Sequence, residues 1–199
     1  MIAQGYVNVT NIRLIRDDLV ACGLLKDALV KIINAGKMHE NNIRFVRADL
    51  IKYDLLKDVF VEMLNTGRLH VNNINIDFIR VGLIEYGLFK DALVKIVSTG
   101  KLHENNIQSV RADLVEYGLL KDALVKMINT GHLHVNSIER VRIDLVEYGL
   151  LKDALVNMIN TGHLNVTNIE RVRADLVEYG LLNDVQIESP FLYARGENS

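Results

Sequence analysis

LVEYGLLKDALVKMINTGHLHVNSIERVRID, residues 114–144, is followed directly by LVEYGLLKDALVNMINTGHLNVTNIERVRAD, residues 145–175, and the two are almost identical. Such self-similarity, at a period of 31 residues, decides the architecture before any local reading does. Backward along the chain, LIEYGLFKDALVKIVSTGKLHENNIQSVRAD starts at Leu83, LIKYDLLKDVFVEMLNTGRLHVNN at Leu50 and LVACGLLKDALVKIINAGKMHENN at Leu19. Forward, LVEYGLLND starts at Leu176. The unit from Leu50 is two residues longer, and the extra residues fall near Asn73–Ile76, where a loop absorbs them. Met1–Gly5 aligns with Met158–Gly162, and the pattern stops after Asp184. The expected organisation is a single repeat domain over 1–187, with units starting near 19, 50, 83, 114, 145 and 176 and a partial unit at 1–18. A non-repeat tail follows over 188–199, next to the chain's one proline.

Each unit reads as two helices. Ile138, Val141, Leu145, Val146 and Tyr148 fall on one face of a 3.6-residue helix. Asn136 with Glu139, and Thr167 with Glu170, have the spacing of a capping box. Gly149 suits a left-handed C-terminal cap. The second helix opens at Leu150-Leu151, turns Ala154, Leu155, Met158 and Ile159 inward, and ends at Gly162, with Leu164 as the apolar contact of a Schellman-type stop. Glycine holds that stop throughout, at Gly5, Gly36, Gly67, Gly100, Gly131 and Gly162. The turn inside each pair is also glycine, except at Asp54, a residue type that tolerates the left-handed region. Period-2 alternation is absent, so a strand reading fails, and glycine interrupts any long coiled coil. One hairpin cannot cover its own apolar side. The fold expected is therefore all-α: a right-handed-type α-solenoid of helix–turn–helix (αα-hairpin) repeats, with about eleven helices.

Composition fits a folded chain: of 199 residues, 49% are hydrophobic and 24% charged. A net charge of −2 disfavours a polyanion or an acidic membrane as partner. The single cysteine, Cys22, excludes an internal disulfide and reads as a packed, inert thiol. The N-terminus shows no secretory signal, and no apolar run approaches the ~18 residues of a membrane span, so a cytoplasmic location is expected. The sequons at Asn8 and Asn165 are then chance recurrences of the repeat.

Catalysis gathers unlike groups at one place, whereas this chain repeats the same groups. His39, His70, His103 and His134 share one slot in successive units, which stacking would set ~10 Å apart, too far to share a metal. His132 and His134 lack further ligands nearby in sequence. No phosphate-binding glycine loop occurs. Tyr53, Tyr86, Tyr117, Tyr148 and Tyr179 read as core and hinge packing. No enzyme activity, metal or cofactor is therefore expected.

Two charged positions hold in all units: Arg16, Arg47, Arg80, Arg111, Arg142 and Arg173, and Asp27, Asp58, Asp91, Asp122, Asp153 and Asp184. With the stop glycines they read as repeat-structural, the arginine bridging units and the aspartate capping its helix. The competing reading is a basic groove that Lys26, Lys57, Lys90, Lys121 and Lys152 would join; the adjacent aspartates largely cancel its field. A neighbouring pair varies instead: Arg13-Leu14, Arg44-Phe45, Asp77-Phe78, Gln108-Ser109, Glu139-Arg140, Glu170-Arg171. Changeable surface positions on a constant frame are candidate partner contacts; drift on a solvated turn would give the same pattern.

In size and hairpin layout these units resemble the TAL-effector-like, mTERF-like and pentatricopeptide nucleic-acid-binding solenoids. In TAL-effector-like repeats the loop within each helix pair carries the base-reading residues. Here that loop, Glu-Tyr-Gly-Leu-Leu, is close to invariant, so the resemblance carries no base code across. The leading functional expectation is a non-enzymatic scaffold that binds another protein. A nucleic-acid-binding array is the second, favoured by the arginines and opposed by the acidic balance. Head-to-tail self-assembly of a structural protein is the third.

Overall fold

In the structure, a computed structural model, residues 9–185 are described. They are all-helical, with no strand among them and twelve α-helices, close to the number expected. The helices are α1 (Val9–Ala21), α2 (Leu25–Asn34), α3 (Glu40–Lys52), α4 (Leu56–Asn65), α5 (Val71–Ile74), α6 (Asp77–Glu85) and α7 (Phe89–Ser98). They continue as α8 (Arg111–Glu116), α9 (Leu120–Asn129), α10 (Arg142–Glu147), α11 (Leu151–Asn160) and α12 (Arg173–Glu178). The two extra residues of the repeat from Leu50 lie where α5 ends and α6 begins. No helix among the described residues is long and apolar enough to cross a membrane.

The turn inside each hairpin is the most regular part of the chain. In the 114–144 repeat the Gly118 N–H donates to the Val115 carbonyl at 3.0 Å and the Leu119 N–H to the Leu114 carbonyl at 2.7 Å. This is a Schellman motif, which satisfies the last carbonyls of the first helix. Leu119 then stands at the N-cap of α9 with no side-chain cap, so one leucine closes one helix and opens the next. The conserved aspartate therefore does not cap. Asp27, Asp58, Asp91, Asp122, Asp153 and Asp184 are all exposed; those in α2, α4, α7, α9 and α11 lie in the first turn, where negative charge meets the positive end of the helix dipole. The second helices end the same way: Gly36, Gly67, Gly100, Gly131 and Gly162 all have positive φ. Gly5 lies outside the described residues, as does the tail at 188–199.

The first helices depart from expectation. In the later repeats each is a 3-10 turn (Ile107–Ser109, Ile138–Arg140, Ile169–Val172) followed by a short α-helix, with the break at Val110, Val141 and Val172. The capping boxes do not form. Thr167 gives both its N–H and its hydroxyl to Asn165 Oδ1, at 3.0 and 2.6 Å, and Glu170 is taken by Arg173 at 2.7 Å. Asn106 and Asn168 accept the backbone N–H of His103 and Asn165, at 2.8 and 2.9 Å. Asparagine side chains thus close the loop on itself and compete with the start of an α-helix.

The chain forms two compact units, Met1–Lys101 and Leu102–Ser199. In the first, α1 packs on α2 and α3, α2 on α4, α3 on α4, and α4 on both α6 and α7, so each hairpin lies against the next. Leu29, Ile32, Phe60, Met63, Ile79 and Leu83 are almost fully buried in its core. In the second, α8 pairs with α9 and α10 with α11, while α9 packs on α11 around Leu124, Met127, Leu155 and Met158. Val146, expected to point inward, is instead half exposed; Leu145 and Asp144 take the inner face of α10.

Asp54, at φ 56°, is the one non-glycine residue with positive φ among those described. At Gly118 (φ 69°) an added Cβ would meet nothing within 4 Å, so only backbone strain opposes a side chain there. Gly118→Ala is therefore expected to destabilise the protein by ~1 kcal/mol, and Asp54→Gly to stabilise it by a fraction of that. Urea unfolding followed by circular dichroism measures both; midpoints moving in the same direction would refute the turn assignment.

Candidate interaction surface

Arg16, Arg111 and Arg142 lock successive repeats together. Arg16 Nε and Nη2 donate to the two carboxylate oxygens of Asp49 at 2.8 and 2.7 Å. Arg111 does the same to Asp144, at 2.9 and 2.5 Å, and Arg142 to Asp175, at 3.1 and 2.5 Å. The partner always lies 33 residues on, in the next repeat, and is buried (Asp49 4%, Asp144 3%, Asp175 4% exposed), whereas each arginine is about 40% exposed. Hydrogen bonding to the carboxylate, and then its charge, raise the pKa of all three guanidiniums. Two parallel N–H···O bonds to a planar carboxylate give the pair geometric specificity. Arg173 pairs with Glu170 of its own repeat.

These aspartates were legible two residues after each arginine, at Asp18, Asp49, Asp113, Asp144 and Asp175, yet periodicity alone did not single them out. In the remaining unit the slot is Gly82. There Arg47 Nε is buried with no hydrogen-bond partner among the described residues. A Cβ on Gly82 would come within 2.5 Å of Phe60 Cε2. Phe60 replaces the Leu29, Leu93, Leu124 and Leu155 of other repeats, and its larger ring stands where a side chain on residue 82 would begin.

A second inter-repeat device sits at the end of each second helix and comes in two forms. In the first unit, Arg68 donates to the Gly36 carbonyl and Lys101 to the Gly67 carbonyl, cations on the negative end of the preceding helix. In the second, the same slot holds His132 and His163, whose rings lie tilted against His103 and His134 with centroids 4.3 and 4.4 Å apart. Four of the histidines thus meet in pairs across slots, while His39, His70, His103 and His134 remain exposed. Glu104, 4% exposed, accepts the Ser137 hydroxyl at 2.7 Å. Among the described residues no cluster of three or more His, Cys, Asp or Glu is placed to hold a metal. Cys22, expected to be packed, is exposed, because the loop position it shares with the half-buried tyrosines lies at the rim of the hairpin.

The variable pairs are largely solvent-facing, but several bridge repeats. Arg13 and Arg44 both lie over the Phe45 ring, 5.1 and 4.5 Å from its centroid. Gln108 Nε2 donates to the Arg140 carbonyl at 2.5 Å, and Arg140 donates to Asn105 Oδ1 at 2.8 Å. The Ser109 hydroxyl donates to the Asn106 carbonyl at 2.7 Å. Leu14, Asp77, Glu139, Glu170 and Arg171 are exposed, and Phe78 is half-buried.

A more regular feature was missed in the sequence because helical phase put it inside. One aliphatic position is exposed in every repeat: Val20, Ile51 and Ile84 in the first unit, and Val115, Val146 and Val177 in the second, at 48, 51 and 60% in the latter three. Ile143, 77% exposed, adds to it. On α10 the outward arc reads Arg142, Val146, Ile143, Glu147, an apolar centre between an arginine edge and a glutamate edge. Glu116, Glu147 and Glu178 are all exposed. A groove of about 520 Å³ lies between α2 and α4, lined by Val30, Ile33, Leu55 and Asp58, and a smaller one recurs beside α11. No family model, curated protein or solved structure matches the chain.

The match between Phe60 and Gly82 is testable by a double-mutant cycle. Gly82→Asp alone should cost ~1–3 kcal/mol through overpacking. Combined with Phe60→Leu it should recover most of that loss, since Arg47 then gains the carboxylate that other repeats provide. Additive effects in urea unfolding would disprove the exchange. Asp144→Asn, which breaks a clamp whose arginine is partly solvated, should cost ~1–2 kcal/mol.

Proposed function

We propose that the chain is a non-enzymatic α-solenoid scaffold whose hairpins present an exposed aliphatic surface to another protein. The observation that carries this reading is the aliphatic position left exposed in six successive repeats, from Val20 to Val177. A fold that buries Leu145 fully and Asp144 almost fully could bury a neighbouring valine as well. A position kept aliphatic and kept outside in repeat after repeat suits contact with a partner that excludes water from it. The variable pairs beside it, among them Arg13, Phe45, Gln108 and Arg140, would then set specificity.

The arginine clamp separates this reading from the nucleic-acid alternative. Arg16, Arg111 and Arg142 are committed to Asp49, Asp144 and Asp175, and a guanidinium already held by a carboxylate offers little to phosphate. Lys26, Lys57, Lys90, Lys121 and Lys152 are exposed, but each is followed by an exposed aspartate. Both features favour a protein partner over a polyanion.

The test is affinity capture from the native cell extract with the unaltered chain and with V115D/V146D, whose exposed positions should leave stability within ~0.5 kcal/mol. Proteins retained by the first and lost by the second are the expected outcome. Retention indifferent to the substitutions, or salt-sensitive retention of mixed oligonucleotides, would sink the reading.

A further inference from the structure

From the grooves beside the second helices we infer a further docking place and its occupant: an extended segment of a partner protein that carries lysine or arginine. The inference adds to the protein-binding reading but makes no use of the exposed valines, which lie on other helices. α2 and α4 pack on one another. The groove between them, about 520 Å³, takes its apolar lining from Val30, Ile33 and Leu55 and its polar lining from Asn34, Asn65, Asp58 and Glu62. The smaller groove beside α11 has Val156, Ile159, Asn160, Leu181 and Asp184, the same residue types as Val30, Ile33, Asn34, Leu55 and Asp58 at equivalent positions. One lining thus recurs in both units of the chain.

The asparagines select the form of the occupant. Asn34, Asn65 and Asn160 are exposed, and their amides make no hydrogen bond among the described residues. At two of these helix ends the next residue serves the last carbonyls instead: the Thr66 and Thr161 hydroxyls donate to the Glu62 and Asn157 carbonyls, each at 2.8 Å. Yet α2, α4, α9 and α11 all end in asparagine, and α7 ends in Ser98. A side-chain amide carries a donor and an acceptor side by side, the complement of a peptide group. A helical ligand spends its backbone groups internally, whereas an extended one presents them. Charge then selects the side chain. No lysine or arginine lines either groove. Glu62 is balanced by Arg68 at 3.7 Å, but Asp58 and Asp184 form no ion pair among the described residues. An incoming cation therefore meets an uncommitted carboxylate, and the methylene stem of a lysine suits the aliphatic residues beside it.

The probe is a labelled ~9-residue peptide with lysine at every second position among valine and threonine, residues that favour extended backbone, titrated against the full chain by fluorescence anisotropy. A second peptide has glutamate for every lysine, and a third has alternate backbone nitrogens methylated, so that they cannot donate. Binding of the first peptide is expected, with roughly tenfold weaker binding of each of the others. D58N/D184N should weaken the lysine peptide roughly tenfold and narrow its lead over the glutamate peptide. N34A/N65A/N160A should weaken it by a similar factor and remove the penalty of methylation. All five positions are exposed and alanine favours a helix, so circular dichroism should show both variants folded. Failure of the lysine peptide to bind, or binding indifferent to both sets of substitutions, overturns the inference. If V115D/V146D abolishes peptide binding and D58N/D184N does not, the peptide sits on the exposed valines and the grooves are not its site. If no peptide binds while V115D/V146D still abolishes capture from extract, the scaffold reading stands and the groove inference alone is wrong.

Discussion

A carboxylate buried in one repeat is held by an arginine from the repeat before it, and the rest of the architecture depends on that arrangement. Asp49, Asp144 and Asp175 are almost wholly removed from water. An unpaired carboxylate in such a place is costly, so the preceding repeat must be present and in register to supply its guanidinium. The clamp therefore specifies which surface of a hairpin meets which. Apolar packing between α2 and α4, or α9 and α11, supplies attraction without direction; the two-pronged arginine contributes direction. Each arginine is raised in pKa by its partner and stays charged.

Two economies of backbone make the repeats regular. The leucine that completes the first helix's Schellman motif is also the residue from which the second helix starts, so the hairpin needs no capping side chain. Asp122 and its equivalents are left in the first helical turn, exposed. At the far end of the hairpin the next repeat reaches back to the preceding helix, by Arg68 and Lys101 in the first unit. In the second unit the same slot holds His132 and His163, whose rings lie tilted against the loop histidines. The position is constant, but the chemistry differs between the units.

Much of this was legible in the residues. The spacing of Gly118 and Gly131, and of their equivalents, located the ends of both helices, because positive φ is nearly a glycine property. The structural reading of Arg111 and Arg142 also followed from their recurrence. What misled was phase. The offsets that put Leu145 inside also put Val146 inside, but the first helix is broken at Val141, and the short segment after it presents Asp144 and Leu145 inward. The acidic partner was overlooked because a charged residue on an apolar face looks like solvent-facing punctuation until its arginine is seen. The capping boxes failed for a related reason: Asn165 and Asn168 bond to nearer backbone groups than a helix start would offer.

The exchange of Asp for Gly82 opposite Phe60 bears on how the gene can grow. Tandem copies lengthen and shorten when sister strands misalign by one period and recombine. Wherever every junction has the same complementary parts, such events yield a chain that still closes at each seam. A crossover that sets the Phe60 helix before an aspartate-bearing neighbour brings ring and carboxylate into the same volume, and one that sets Gly82 after a leucine leaves a hole beside an orphaned guanidinium. The seam around residues 50–82 thus has its own matching parts, whereas from residue 114 onward two near-identical copies stand side by side.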